Sequence, residues 1–292
     1  MSSSCRPSRL VGRERAVRAL PFFALFALIL DCNAPLRARC DDPPGGRIQN
    51  NGTCPGGATG ENRIADFRES DPMARPMLGI PVDFHNVDVI GVDDYLEPGG
   101  KVGDIFVQQR ITDETWPGCV LDPVHGGRVC GIQLFGATTV PAGTHMALGD
   151  IANVSGGTYE EFNCGTCSSQ FSGGRTLPEI GMGSVERTGS GLPVLPVDVT
   201  VAQLVDPVHG DDYVGVLVRI TNVVTTSAPN SRGEIPIDPN LNITPQLTPL
   251  NDPATSTVLP AGTHLTNIVG IASYFFGSKI IPRSVNDYTV MH

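Results

Sequence analysis

The chain says one phrase twice, Pro141-Ala142-Gly143-Thr144-His145 and Pro260-Ala261-Gly262-Thr263-His264, and the surroundings repeat with it. Val140 and Leu259 precede the two copies, and an apolar-alternating stretch follows each, over residues 146–154 and 265–274. A glycine turn (Gly156-Gly157 or Gly277) then leads into a short strand-like run, residues 176–180 or 279–281. Period-two alternation places every second side chain on one face, as a half-buried strand requires. A recurring order of turn, strand, turn and strand predicts a duplicated β-unit.

The rest of the chain supplies about five strands per unit. In the first, residues 86–92, 104–109, 129–135, 144–154 and 175–185 carry the pattern, with a polar cysteine-bearing excursion over 155–174. In the second, residues 213–224 give the strongest strand signal, with Gly215 able to permit a bulge; 233–237, 257–274 and 279–290 follow, after a Pro/Asn loop over 238–253. No segment longer than about ten residues shows a helical period. The expected fold is all-β: two tandem five-stranded OB-like Greek-key barrels over residues 81–192 and 196–292, with a β-sandwich as the competitor. Residues 35–80, rich in Gly, Pro and Asn, read as a flexible tether. A second identity, Asp122-Pro123-Val124-His125-Gly126 and Asp206-Pro207-Val208-His209-Gly210, is out of phase with the first and reads as one turn sequence used twice.

Residues 1–34 read as an export signal. Arg6, Arg9, Arg13, Arg15 and Arg18 precede an apolar run of twelve residues, Ala19 to Leu30, too short for a bilayer span of about twenty. Cys32-Asn33-Ala34 offers small residues for cleavage ahead of Pro35, while Leu28 to Cys32 resembles a lipoprotein box with Asp31 at a position usually small. Cys32 is therefore a lipidation candidate. The expected location is periplasm, outer surface or extracellular space, with membrane contact only through signal or lipid.

Without residues 1–34 the chain holds 15 basic and 28 acidic residues, a net charge of −13. That sets it against polyanion binding, in which Lys and Arg neutralise phosphates. Six cysteines remain in three local pairs: Cys40 and Cys54, Cys119 and Cys130, Cys164 and Cys167. Export permits disulfides, and these pairings are the favoured ones among fifteen. Cys164-Gly165-Thr166-Cys167 has no second ligand pair nearby for zinc and reads as a staple.

Catalytic signatures are lacking: the sequence holds no G-x-S-x-G, no H-E-x-x-H and no phosphate-binding loop. The chain is read as no enzyme, with no cofactor. His145 and His264 read as turn histidines; Asp93-Asp94 and Asp211-Asp212 read as solvated turn acids rather than calcium ligands. Candidate binding residues are Trp116, the only tryptophan, with Tyr274 and Phe275 as stacking rings, and Arg283. Arg283 has the alternative of a local clamp on Asp287.

Residues 103–109 (Gly-Asp-Ile-Phe-Val-Gln-Gln) resemble the G-x-F-x-V-Q strand of OB-like modules in secreted bacterial proteins and lipoproteins, including modules ahead of the catalytic domain in ExeM/NucH-type extracellular nucleases. Ile151 to Val154, with Tyr159 to Phe162 and Thr176 to Ile180, resembles their V-x-G-x-V-x-E-Y/F-x-G-x-T-E-I segment, with Asn153 and Gly156 shifting the glycines and a cysteine loop inserted. Residues 213–220 resemble Y-E-G-V-L-V-x-V, with Val214 for Glu, and residues 270–287 resemble G-x-x-x-Y-x-F-G-x-x-x-L-x-P-R-S-x-x-D. The resemblance spans residues 83–292 and implies an OB-like fold; it does not imply nuclease activity, since no catalytic domain follows. The expected function is an exported binding or scaffold protein contacting envelope protein or glycan. The alternatives are a nucleic-acid-binding accessory of extracellular nucleases, disfavoured by charge, and a purely structural envelope lipoprotein.

Overall fold

The computed structural model describes residues 63–68, 78–93, 104–111, 119–162, 177–231, 233–244, 259–274 and 277–291. Two sheets hold just over half of them, both within one compact unit. The first sheet contains β1 (Pro81–Val92), β2 (Ile105–Ile111), β3 (Val120–Leu121), β4 (Arg128–Phe135), β5 (Thr138–Val140), β6 (Asp150–Phe162), β7 (Leu177–Gly181) and β8 (Ser184–Ser190). Its main path is β1-β2-β4-β7-β6, and β1 pairs back onto β6, so five strands close into a barrel. All contacts in the ring are antiparallel except β4 against β7.

The second sheet contains β9 (Val197–Asp198), β10 (Leu217–Val224), β11 (Ile235–Asp238), β12 (Leu241–Ile243), β13 (His264–Tyr274), β14 (Ser278–Ile281) and β15 (Tyr288–Val290). Its order, β11-β12-β14-β13-β10, follows the first path strand for strand, and the parallel contact again falls between the third and fifth strands, β12 and β14. The ring does not close. β9 lies parallel along β10 at Val218 and Arg219, and Arg219 clamps it by donating to both carboxylate oxygens of Asp198 at 2.6 and 2.8 Å. Past the end of β10, Thr226 N–H and hydroxyl both donate to the Pro236 carbonyl of β11. The seam is thus stitched at one end and wedged at the other, and a closed second barrel is not present.

Both pentapeptides form the same turn on the way into the long strands β6 and β13. Gly143 and Gly262 sit at φ 81° and 80°, a left-handed conformation that costs glycine nothing. Thr144 and Thr263 each donate backbone and hydroxyl hydrogens to the carbonyl of the turn's proline. A second shared device was not anticipated. Strands β1 and β10 each carry an Asn-Val step with Asn left-handed, Asn86 at φ 53° and Asn222 at φ 54°. At that residue the buried side chains change phase, from Val82 and Phe84 to Val87 and Val89 in β1, and from Val218 and Ile220 to Val223 in β10. In β1 one extra residue against β6 bends the strand so that its two halves serve a strongly curved sheet, whereas β10 keeps its register with β13 through Asn222.

The first core includes Phe84, Val87, Ile105, Ile132, Leu134, Tyr159 and Ile180. Residues 63–68, inside the stretch read as a tether, instead fold as a 3-10 turn that plugs this core with Ile64, Ala65 and Phe67. Phe67 meets the Phe84 ring edge-on at 5.4 Å and the Tyr159 ring at 5.0 Å. Four consecutive buried residues have no readable period, which hid them in the sequence.

The outer face of the first barrel carries the second sheet. Ile90 and Phe106 pack with Leu217 and Ile271, while Leu177 packs with Val214 and Tyr274. Burying each such side chain stabilises by about 1.5–3 kcal/mol. Val120 and Val129, from the β3–β4 hairpin, enter the second core beside Val197, Leu204 and Val216. The tightest contact is between backbones. A Cβ on Gly131 would lie 1.9 Å from the Gly215 carbonyl oxygen, and one on Gly215 would lie 2.5 Å from the Gly131 carbonyl carbon. The expected strand over residues 213–224 begins only at Leu217, because Gly210–Tyr213 is a 3-10 turn; Gly215 serves this close approach rather than a strand bulge.

Candidate functional site

OB-type barrels commonly present the outer face of their second and third strands to ligands. Here that face, on β2 and β4, is covered. Phe106 is in the junction, Gln108 Oε1 accepts the Leu217 N–H at 3.2 Å, and Gly131 abuts Gly215. The end of the same face is acidic. Glu179 on β7 stands beside Gln133 on β4 and Glu160 on β6, and Gln133 in turn hydrogen-bonds Asp104 at the start of β2. Burial, with Asp104 and Glu160 nearby, pushes the Glu179 carboxyl up to about 7; burial and Asp93 push Asp104 up to about 6. Among the described residues no group of three His, Cys, Asp or Glu is arranged to hold a metal ion.

Among the described residues, a ligand-sized concavity lies where the β3–β4 hairpin meets the entry to β10. A groove of about 340 Å³ is bounded on one side by Cys119, Leu121 and Arg128 and on the other by Gln203, His209, Asp212 and Tyr213. The Cys119–Cys130 disulfide holds the hairpin wall, with Cα atoms 4.9 Å apart, and Arg128 donates to the Cys119 carbonyl. The opposite wall begins at a single helical turn, α1 (Val201–Leu204), capped by Thr200 and Gln203 in a reciprocal box. Gln203 Oε1 accepts from Thr200 N at 2.8 Å and Thr200 Oγ1 at 3.0 Å, while its Nε2 donates to the Tyr213 hydroxyl at 3.0 Å. Burial raises the Asp212 carboxyl, partly offset by Arg68 and His209; burial and Asp212 raise the Tyr213 phenol.

The two Asp-Pro-Val-His-Gly copies are the same turn, as their sequence suggested. Asp122 Oδ1 accepts from Val124 N and His125 N, and Asp206 Oδ1 from Val208 N and His209 N. Gly126 and Gly210 close the turns onto the Asp carbonyls at 2.9 Å each. They occupy different places in the sheets, one as the turn of the β3–β4 hairpin and one ahead of β10. His209 reaches the groove described above; His125 reaches a smaller one of about 200 Å³ lined by Asp88, Arg110 and Leu195. Asp122 alone is fully buried and also accepts from Arg110 at 2.8 Å and His125 Nδ1 at 2.9 Å. Burial favours its neutral form, but these hydrogen bonds win and hold its pKa below the ordinary value.

Of the residues singled out from sequence, Tyr274 is 3% exposed, packed with Leu177 and Val214, so its ring serves the junction and not a free stacking surface. Arg283 donates to both Asp287 oxygens, at 3.1 and 2.8 Å, which is the local clamp. Cys119 and Cys130 are bonded as expected. Trp116, Phe275, Cys32, Cys40, Cys54, Cys164 and Cys167 lie outside the described residues. His145 and His264 are exposed, His145 in its turn and His264 as the first residue of β13, but Asp212 is a half-buried groove residue. Sequence reading missed Arg128, Gln203 and Tyr213. The Thr200-x-x-Gln203 cap was a legible signal for one wall; nothing local announced the other. No protein-family model, no curated protein and no solved structure matches the chain.

Proposed function

We propose that the chain is an exported, non-enzymatic binding protein of the cell envelope, built from two OB-type units, that engages protein or glycan. The shared strand order supports a common OB-type origin for both sheets, the second held open by β9. The observation that carries the binding role is the groove at the junction. It draws walls from both sheets and converges polar groups on a ring, Tyr213, as ligand sites do. In this reading the strand face has been given over to internal docking, and recognition has moved to the groove.

The nuclease-accessory alternative fares worse. Single-strand binding needs a basic groove with stacking rings, whereas the outer face here combines buried apolar residues with Asp104, Glu160 and Glu179. Co-sedimentation of the full-length oxidised protein with an isolated envelope fraction tests the proposal. Retention in the pellet that is lost after Gln203→Ala and Tyr213→Phe supports it; a protein that stays in the supernatant sinks it. Anisotropy of labelled ssDNA across a salt series tests the alternative, with no salt-dependent binding expected.

A further inference from the structure

We infer that the junction groove is a saccharide subsite, taking a neutral, hydroxyl-rich ring between Tyr213 and the β3–β4 hairpin; this rests on the binding role proposed above. Three features of the groove lead there. The first is its balance of charge. Asp206, Asp212 and His209 line the groove together with Arg128, whose guanidinium also donates to the Cys119 carbonyl. A phosphate, a carboxylate or a nucleotide would meet the two acids, against an Arg128 that already gives one of its hydrogens to the Cys119 carbonyl, and a cationic ligand would meet the charge that this guanidinium keeps. A neutral ligand escapes both penalties.

The second is the mixture of hydrogen-bonding roles. Sugar hydroxyls donate and accept at once, so their site must offer both within a few ångströms. Asp212 accepts, Arg128 donates, and Tyr213, whose oxygen takes the Gln203 Nε2 hydrogen, keeps its own hydrogen to give. Gln203 is fixed by two bonds to Thr200, so Tyr213 is oriented before any ligand arrives. A ring held in place costs less entropy on binding than one that must be ordered.

The third is shape. The groove is open, about 340 Å³, and walled by an apolar side chain, Leu121, across from the Tyr213 ring. A pyranose has an apolar C–H face and a polar rim, and an aromatic surface bordered by polar groups matches both. An open groove suits an internal unit of a chain as well as its end, and implies weak binding per unit, roughly 0.1–1 mM, strengthened by repetition along a polymer.

Saturation-transfer NMR on the full-length oxidised protein decides the matter, with chitotetraose, maltotetraose and cellotetraose as probes and inorganic phosphate as competitor. Transfer is expected from at least one tetrasaccharide, undiminished by phosphate. Gln203→Ala, at an exposed position, should weaken binding about threefold, Tyr213→Phe similarly, and Tyr213→Ala about tenfold. Thermal melts of each variant separate lost binding from lost folding, and the two milder variants carry the test if Tyr213→Ala unfolds. Absence of transfer from all three probes, displacement by phosphate, or binding indifferent to Gln203→Ala and Tyr213→Phe overturns the saccharide assignment. If no probe binds while envelope co-sedimentation still depends on these residues, the groove recognises protein and only the saccharide inference falls; if both fail, the binding role falls with it.

Discussion

The two sheets use one strand order to different ends. The first closes: β1 gives one edge to β2 and the other to β6, leaving its edges paired all round. The second gives the corresponding edge of β10 to β9, a two-residue strand that enters from the linker, and remains open toward β11. Closure is therefore no fixed consequence of the strand order. In the second sheet the edge of β10 that β1 would give to a neighbouring barrel strand carries a linker strand fixed by Asp198 and Arg219. Pro236 on β11, which has no N–H to donate, further limits pairing across the seam. The open sheet also lends its entry segment, residues 200–213, to the groove, so the irregularity and the candidate site are parts of one region.

The comparison breaks most severely at the backbone contact between the sheets. Gly131→Ala puts a methyl group inside the Gly215 carbonyl, where only backbone can move. A loss of about 3–4 kcal/mol is expected, with the melt splitting into two transitions as the sheets lose each other. A single cooperative melt with an unchanged midpoint would show that the contact is not formed in solution.

The duplicated turn sharpens the contrast next. Asp122→Ala leaves Arg110 and His125 without their buried partner and removes two turn acceptors, a cost of about 3 kcal/mol. Asp206→Ala, in the same turn but partly open to water, should cost about 1 kcal/mol, in the range of a lost capping residue. Equal losses in urea titrations would mean that the shared sequence, and not its burial, sets the energy.

Titration distinguishes the regions as well. Glu179 holds its proton up to about pH 7 in the folded state, against an ordinary value of 4.5. The folded protein therefore binds more protons than the unfolded one across that window, and stability falls as pH rises through it, levelling above about 7. Asp104, raised to about 6, acts in the same direction. Asp122, held low, has the opposite sign: its contribution is present above the ordinary carboxylate range and fades as acid protonates it. Glu179→Gln should stabilise the protein by about 1–2 kcal/mol at pH 8, the full linkage being reduced by solvent screening, and by almost nothing at pH 4.5. A pH-independent increment in thermal midpoint would show that Glu179 is not desolvated.

Much of this was legible in the sequence, and the part that was not has a physical reason. Both pentapeptides were found in equivalent turns because a left-handed glycine and a hydroxyl that bonds its own turn are local chemistry, written in five residues. The Cys119–Cys130 pairing was likewise local. The junction was not. Phe106 and Gln108 read as an ordinary strand, yet both faces of β2 are buried, one by the barrel and one by the second sheet, and alternation cannot say what covers an outward side chain. The groove has the same character: Arg128 and Tyr213 are 85 positions apart, and only the docking of the sheets makes them neighbours.

The smallest expected effect probes why the second sheet is open. Asp198→Ala removes the bidentate partner of Arg219 at a half-exposed site, so global stability should fall by less than about 1 kcal/mol. Its local effect should be larger. β9 is held to β10 by a short parallel contact and by the Val199 N–H donating to the Arg219 carbonyl at 2.9 Å. Once the clamp is gone, that amide should exchange with solvent about tenfold faster, while amides inside β13, paired on both sides, should keep their protection. If the freed edge of β10 is instead taken up by β11, new protection will appear between them and the second sheet will have closed. That outcome would identify β9 as the single element separating the two architectures. Faster exchange at Val199 without new protection would assign the open seam to Pro236 and the shortness of β11, and leave β9 as a passenger.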